Sequence, residues 1–140
     1  MNKKYKIGYT TGVFDMFHVG HLNILERAKE QCEYLIVGVS TDELVKSYKH
    51  KVPIISYKDR AKIVSAIRFV DRVVPQKSMD KREAWDNFHY DVMFHGDDWK
   101  GTDMYNEEIR KLSEVGAEVV FLKHTDGVST TEILQKIKER

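Results

Sequence analysis

Two histidines three residues apart carry the most specific chemical signal in the chain. They lie in the run Thr11-Gly12-Val13-Phe14-Asp15-Met16-Phe17-His18-Val19-Gly20-His21, which separates an apolar stretch at 5–10 from the helical pattern Leu22, Leu25, Ala28 and Cys32. This places His18, Gly20 and His21 at a helix start. Unpaired backbone N–H groups and the positive end of the helix dipole there suit a polyphosphate, and Gly20 lets it approach without a Cβ in the way. The two imidazoles, sharing one helical face, are placed to donate to the oxygens of one phosphorus as negative charge develops on it. The same spacing would serve as half of a metal site. With no cysteine in the segment and Asp15 its one carboxylate, phosphate is the better fit and no resident metal is expected.

Such residues need a scaffold that presents strand ends. Apolar runs at 5–10, 34–40, 70–74, 92–95 and 119–122 alternate with amphipathic stretches at 22–32, 42–46, 81–89, 107–115 and 130–138. The alternation predicts an α/β fold: a doubly wound, parallel, five-stranded sheet. Ser56 with Asp59, and Ser129 with Glu132, read as capping boxes at helix starts. Only Pro53 and Pro75 interrupt the chain and no linker-like segment appears, so residues 1–140 read as a single domain. In such sheets the ligand binds outside the carboxyl ends of the strands, where the strand order reverses. The segments that follow each strand are therefore where function is sought.

Lys plus Arg total 23 against 22 for Asp plus Glu, a formal charge of +1, which lacks the cationic excess of a non-specific nucleic-acid binder. Any bound anion must be met by a local cluster of cations. Cys32 is the single cysteine, which excludes an intrachain disulfide and fits a reduced, cytoplasmic location. Its place on the apolar face of the first helical pattern reads as core, not nucleophile. No membrane-spanning stretch is present, and the polar residues near the N-terminus interrupt any signal-peptide pattern.

The run from Gly12 to His21 resembles the signature of the nucleotidyltransferase superfamily that contains the cytidylyltransferases. Three further segments, in order and spacing, resemble the bacterial glycerol-3-phosphate cytidylyltransferases: Ile67-Arg68-Phe69-Val70-Asp71, Gly96-Asp97-Asp98-Trp99-Lys100-Gly101, and Thr125-Asp126-Gly127-Val128-Ser129-Thr130-Thr131. The resemblance implies a Rossmann-like nucleotidyltransferase fold and a homodimer. It also implies transfer of CMP from CTP to a small phosphorylated alcohol, nominally glycerol 3-phosphate, with Mg²⁺ accompanying CTP and pyrophosphate leaving. Chemistry of this kind needs positioning and charge neutralisation more than a nucleophilic side chain.

Carried onto this chain, the resemblance makes His18, His21, Lys49 and Arg68 catalytic. Lys49 also contacts the acceptor and Lys51 the nucleotide, although spacing alone leaves the order of the two lysines open. Gly12, Val13, Phe14, Asp15, Gly20, Asp97, His124, Thr125, Gly127, Val128, Ser129, Thr130 and Thr131 complete the nucleotide site. Arg82, Asp98 and Trp99 join the acceptor site, and Asp71 is a partner for Arg68. Asp97 and Asp98 suit a hydroxyl-bearing acceptor, a cationic one, or the capping of a turn. His124 stands where the family commonly has arginine. Either Lys123 or Lys100 compensates, or nucleotide affinity falls as pH rises through the His124 titration. The proposed cations (Lys49, Lys51, Arg68 and Arg82) should converge at one edge of the sheet. Other acceptors such as phosphocholine or phosphoethanolamine, ATP as donor, and a non-catalytic nucleotide-binding module are the alternatives.

Overall fold

The computed structural model describes residues 3–97 and 101–140. In chain order the elements are β1 (Tyr5–Gly12), α1 (Val19–Gln31), β2 (Cys32–Ser40), α2 (Asp42–Lys49), α3 (Tyr57–Ser65) and β3 (Arg72–Gln76). They continue with α4 (Lys81–Phe88), β4 (Val92–Gly96), α5 (Asp103–Ser113), β5 (Glu118–Leu122) and α6 (Thr130–Lys138). The five strands form one parallel sheet in the order β3-β2-β1-β4-β5. The chain winds outward from β1 to β3, then returns to the far side of β1 for β4. The reversal between β1 and β4 is the expected ligand crevice, and Gly12 and Gly96 stand at its lip.

Each face of the sheet carries its own core. Leu35, Val37 and Val39 of β2 pack with Leu25 and Ala28 of α1 and Val64 of α3 on one side. Ile36, with Tyr9, Met93 and Leu112 of α5, packs on the other. A strand buried on both faces needs apolar residues without alternation, which is why residues 34–40 read as a continuous run. Each of the buried Leu, Val, Ile and Met side chains contributes about 1.5–3 kcal/mol of transfer free energy, and together they fix the register that aligns the strand ends.

Several boundaries differ from the sequence expectation. Cys32 continues the helical spacing of Leu25 and Ala28, yet its backbone is extended (φ −137°, ψ 156°) and it opens β2 directly after α1. It is still core: its thiol donates to the carbonyl of Ala28 at 3.4 Å, and burial pushes its pKa up to about 11. The third strand begins at Arg72, because Asp71 ends the preceding turn by accepting the N–H of Leu35 (2.7 Å) and pairing with Lys29 (2.5 Å). It does not hold Arg68. Ser56 occupies the cap of α3 without a side-chain bond; Asp42 accepts the Tyr57 N–H at 3.2 Å instead. Ser129 does cap α6, accepting the N–H of Glu132 at 3.0 Å. The helix expected at 107–115 starts earlier, at Asp103.

Candidate active site

The β1–α1 loop owes its shape to two strained residues. Phe14 and Met16 take φ of +55° and +49°, a region that costs non-glycine residues about 1 kcal/mol or more. Burial of the Phe14 ring, 5.4 Å from the His21 ring and 6.2 Å from Phe17, holds the loop there. His18 is consequently the cap of α1 and not a residue of its first turn. Its Nδ1 accepts the N–H of Gly20 (3.1 Å), while its own backbone N–H donates to Nδ1 of His21 (3.2 Å). The rings stack, with centroids 3.8 Å apart and planes at 22°, instead of standing side by side along one helical face.

That capping pattern settles the protonation chemistry. Both Nδ1 atoms accept from backbone N–H groups, so in each neutral ring the proton resides on Nε2. Burial lowers the pKa of His18, and burial together with the neighbouring His18 lowers that of His21 to about 4. The pair therefore presents two uncharged N–H donors at neutral pH. Nε2 of His18 is buried and has no partner among the described residues. A buried donor without an acceptor costs about 1–3 kcal/mol, which an oxygen-rich ligand would recover. Gly20 is required here, since a Cβ would lie 2.9 Å from Cε1 of His18.

A cavity of about 490 Å³ opens beside these rings, bordered by Gly12, Val13, Phe14, Asp15, His21, Lys49, Lys51, Gly96, Thr130 and Thr131. Both lysines thus reach the same opening, Lys49 from the last position of α2 and Lys51 just beyond His50, whose left-handed backbone (φ +59°) turns the chain. Asp15 anchors this wall. Its carboxylate accepts the N–H groups of Ile54 (2.8 Å) and Ile55 (2.9 Å), and its carbonyl accepts the hydroxyl of Thr130 (3.0 Å). Asp15, expected in the nucleotide site, borders the cavity while its side chain fixes the lysine loop. Across the cavity, Asn23 donates to the Thr125 hydroxyl (2.9 Å), and Gly127 turns at φ +76° to bring Val128 close to Gly20.

Asp97 and His124 form a pair across the ends of β4 and β5, with Nδ1 and Oδ1 2.8 Å apart, and Asp126 approaches Nε2 at 3.1 Å. The hydrogen bond from His124 holds the Asp97 carboxyl below its ordinary range. Asp97 is thereby committed to the loop that carries Thr125 to Thr131. Asp98, Trp99 and Lys100 lie outside the described residues.

A smaller cavity of about 270 Å³ adjoins the first, sharing Thr11, Gly12, Val13 and Gly96 with it. Its own lining includes Ser40, Gln76, Lys81, His95 and Tyr105. Lys81 is 6% exposed, and burial lowers its pKa, opposed by the charges of Glu108 and Asp80. Among the described residues its ammonium has no ion-pair partner. Sequence reasoning passed over Lys81 in favour of Arg82, but Arg82 turns to the groove between α4 and α5, where it pairs with Asp86 at 3.5 Å and lies over Trp85. The overlooked signal was the helical stripe Lys81, Ala84, Trp85 and Phe88, which puts a lysine on the core-facing side.

Arg68 does not join the site within the single chain. It lies exposed over the Phe69 ring in the turn between α3 and β3, and helix-to-strand turns of a parallel sheet lie at the end opposite the carboxyl edge. The arginine that does organise the site is Arg60, 1% exposed. It donates to the carbonyls of Val13 (2.7 Å), Ser40 (2.8 Å) and Ile55 (2.8 Å) and to Asp42 (2.6 Å), tying four site-bearing segments together.

These features suit group transfer at phosphorus: neutral donors at a helix start, cations at the rim, hydroxyls of α6 opposite, and a second cavity adjoining the first. Comparison with known proteins agrees. A model of the cytidylyltransferase-like family matches residues 9–136. The chain is 40% identical over 129 residues to glycerol-3-phosphate cytidylyltransferase of Staphylococcus aureus, covering 91% of this chain and 92% of that one. It is 37% identical over 131 residues to ethanolamine-phosphate cytidylyltransferase of Mus musculus, covering 90% of this chain and 31% of that one. Among solved structures, a lipopolysaccharide core biosynthesis protein from Thermoplasma volcanium superposes with a TM-score of 0.72 at 26% identity, covering 86% of this chain and 97% of that one. With fold, site and sequence in agreement, the chain belongs to the cytidylyltransferase-like family.

Proposed function

We propose that the protein transfers CMP from CTP to a small phosphomonoester, nominally glycerol 3-phosphate. The observation that carries the reading is the histidine pair, whose Nδ1 atoms are occupied by the backbone so that both Nε2–H groups serve as donors at the lip of the crevice. CTP occupies the larger cavity, with its phosphates between Lys49, Lys51 and the start of α6. An oxygen of the acceptor phosphate attacks the α-phosphorus in line, the bond to the bridging oxygen of the β-phosphate breaks, and pyrophosphate leaves with that electron pair. The attacking oxygen is already ionised, so no general base is needed. Hydrogen bonds from His18 and His21 strengthen as charge builds on the α-phosphate oxygens.

Among the described residues no three His, Cys, Asp or Glu side chains cluster as a metal cage, and both oxygens of Asp15 already accept N–H groups. Mg²⁺ accompanying CTP, which the family resemblance implies, would neutralise phosphate charge on the triphosphate. Homodimer formation carries over from the family resemblance, and a cytoplasmic location from the single cysteine. Pyrophosphate release, measured with CTP and ATP against a panel of phosphomonoesters, tests the reading. CTP with at least one acceptor should give a CDP-alcohol. Turnover with ATP alone, or none with any pair, would refute it.

A further inference from the structure

We propose that Asn23 is a positioning residue for the nucleotide. Through Thr125 it ties the loop before α6, and with it the first turn of α6, to the helix that carries the histidine pair. The inference rests on the cytidylyltransferase reading for its ligand and goes beyond it in naming what keeps that side of the cavity assembled before CTP binds.

The two helices that flank the larger cavity are anchored differently. α1 lies on the sheet with Leu25 and Ala28 wholly buried, so the core fixes its position. None of the nine residues of α6 is buried, and Ile137 is 58% exposed. The inner face of α6 looks onto open space, since Leu134 borders the cavity along with Thr130, Thr131 and Ile24 of α1. A helix of this length does not persist in water on propensity alone, and apolar burial supplies little here. Polar contacts at its leading end must therefore hold it.

Those contacts run largely to α1. Arg27 donates to the carbonyl of Lys123, and Asn23 donates through Nδ2 to the Thr125 hydroxyl at 2.9 Å. The Val128 carbonyl comes within 3.5 Å of where a Cβ on Gly20 would stand, and the Thr130 hydroxyl donates to the carbonyl of Asp15 at 3.0 Å. Toward β4, His124 pairs with Asp97. Arg27 grips a strand end that pairing of Leu122 with Gly96 already fixes, whereas Asn23 reaches the loop itself. Neither Asn23 nor Thr125 is among the described residues that line the cavity, so their bond acts on the nucleotide through the loop and not by contact.

A nucleotide that fills the cavity packs between Ile24 and Leu134 and completes the anchoring of α6. Without the Asn23 bond, fewer molecules hold the helix in place beforehand, and apparent affinity falls with that fraction. The histidines, carried by α1, keep their geometry, so turnover at saturating CTP is little changed.

The test combines amide hydrogen exchange, with and without CTP, and steady-state kinetics with CTP and glycerol 3-phosphate. In the parent, α6 amides should exchange faster than those of α1 but slower than an unstructured chain, and should slow further with CTP. Asn23→Leu, which keeps the volume and removes the donor, should speed α6 exchange in the free protein about 3–10-fold, the factor one intramolecular hydrogen bond supplies, with α1 changed less than about two-fold. The KM for CTP should rise by a similar factor while kcat stays within about two-fold. Thr125→Val should behave alike, the double variant should be no worse than either single one, and Thr125→Ser, which keeps the hydroxyl, should stay near the parent. Unchanged α6 exchange in both single variants, a fall in kcat as large as the rise in KM, or effects that multiply in the double variant overturn the inference and leave the transferase reading standing. Thr125→Val decides alone if Asn23→Leu fails to fold. No protection of α6 by CTP in the parent, together with no pyrophosphate from any acceptor, overturns the transferase reading and the nucleotide role of Asn23 with it.

Discussion

Replacing Arg60 with methionine should destabilise the protein more than any single change at the cavity surface. The guanidinium is fully enclosed and makes four hydrogen bonds of 2.6–2.8 Å, three to carbonyls and one to Asp42. Methionine fills most of the volume and supplies no donor. Each buried acceptor left unpaired costs about 1–3 kcal/mol, and the carboxylate, a third exposed, recovers part of its loss in water. The bonds to Val13 and Ile55 are only part-buried, so the total falls to about 3–5 kcal/mol, the usual cost of breaking one buried ionic cluster. At roughly 3–4 °C per kcal/mol for a chain of this size, Tm should drop by about 10–20 °C. Arg60→Lys keeps the charge but offers one compact donor group to four divergent acceptors, so it should fall between the two. Thermal unfolding followed by circular dichroism, with urea midpoints alongside, measures both. A methionine variant within about 3 °C of the parent, or a lysine variant equal to it, would show that these bonds do not hold the loops as described.

Two further predictions concern the histidine pair. His21, lowered to about 4 in the folded chain against about 6.5 when unfolded, leaves the unfolded chain with more bound protons between those values. Stability is therefore full above pH 6.5 and falls as pH drops toward 4, by about 2 kcal/mol from His21 between pH 7 and 5. Urea midpoints should show this slope in the parent and a clearly shallower one in His21→Gln; identical slopes would contradict the neutral-donor picture. Gly20→Ala places a Cβ against the His18 ring and disturbs the bond to Nδ1. Turnover should fall about 10²-fold, the usual consequence of moving a reacting group by about 1 Å, while Tm shifts by only a few degrees. Near-normal turnover in that variant would remove the ring geometry from the mechanism.

The doubly wound parallel sheet and a crevice at its carboxyl strand ends follow from patterning, because buried parallel strands leave unbroken apolar runs and the winding rule then fixes where ligands bind. His18 and His21 were legible because their chemistry is local: strand, turn and helix start are contiguous in the chain. Their stacking was not, since it depends on left-handed backbone at Phe14 and Met16, a conformation that neither residue type signals. Arg60 and Lys81 escaped notice for a different reason. Each is polar on its face and acquires its role only where segments distant in sequence converge on it. Arg68 shows the converse: its motif is plain in the sequence, yet a turn from helix to strand puts it at the far end of this chain from the cavity.

The charge arrangement of the crevice has one more consequence. Its rim cations, Lys49 and Lys51, are exposed, whereas the histidine donors are half-buried, neutral imidazoles. Added salt weakens the first kind of interaction within a Debye length of about 8–10 Å and scarcely touches the second. Ionic strength thus acts on how the triphosphate is gathered, and leaves the bonds that form at phosphorus to hydrogen bonding from uncharged groups.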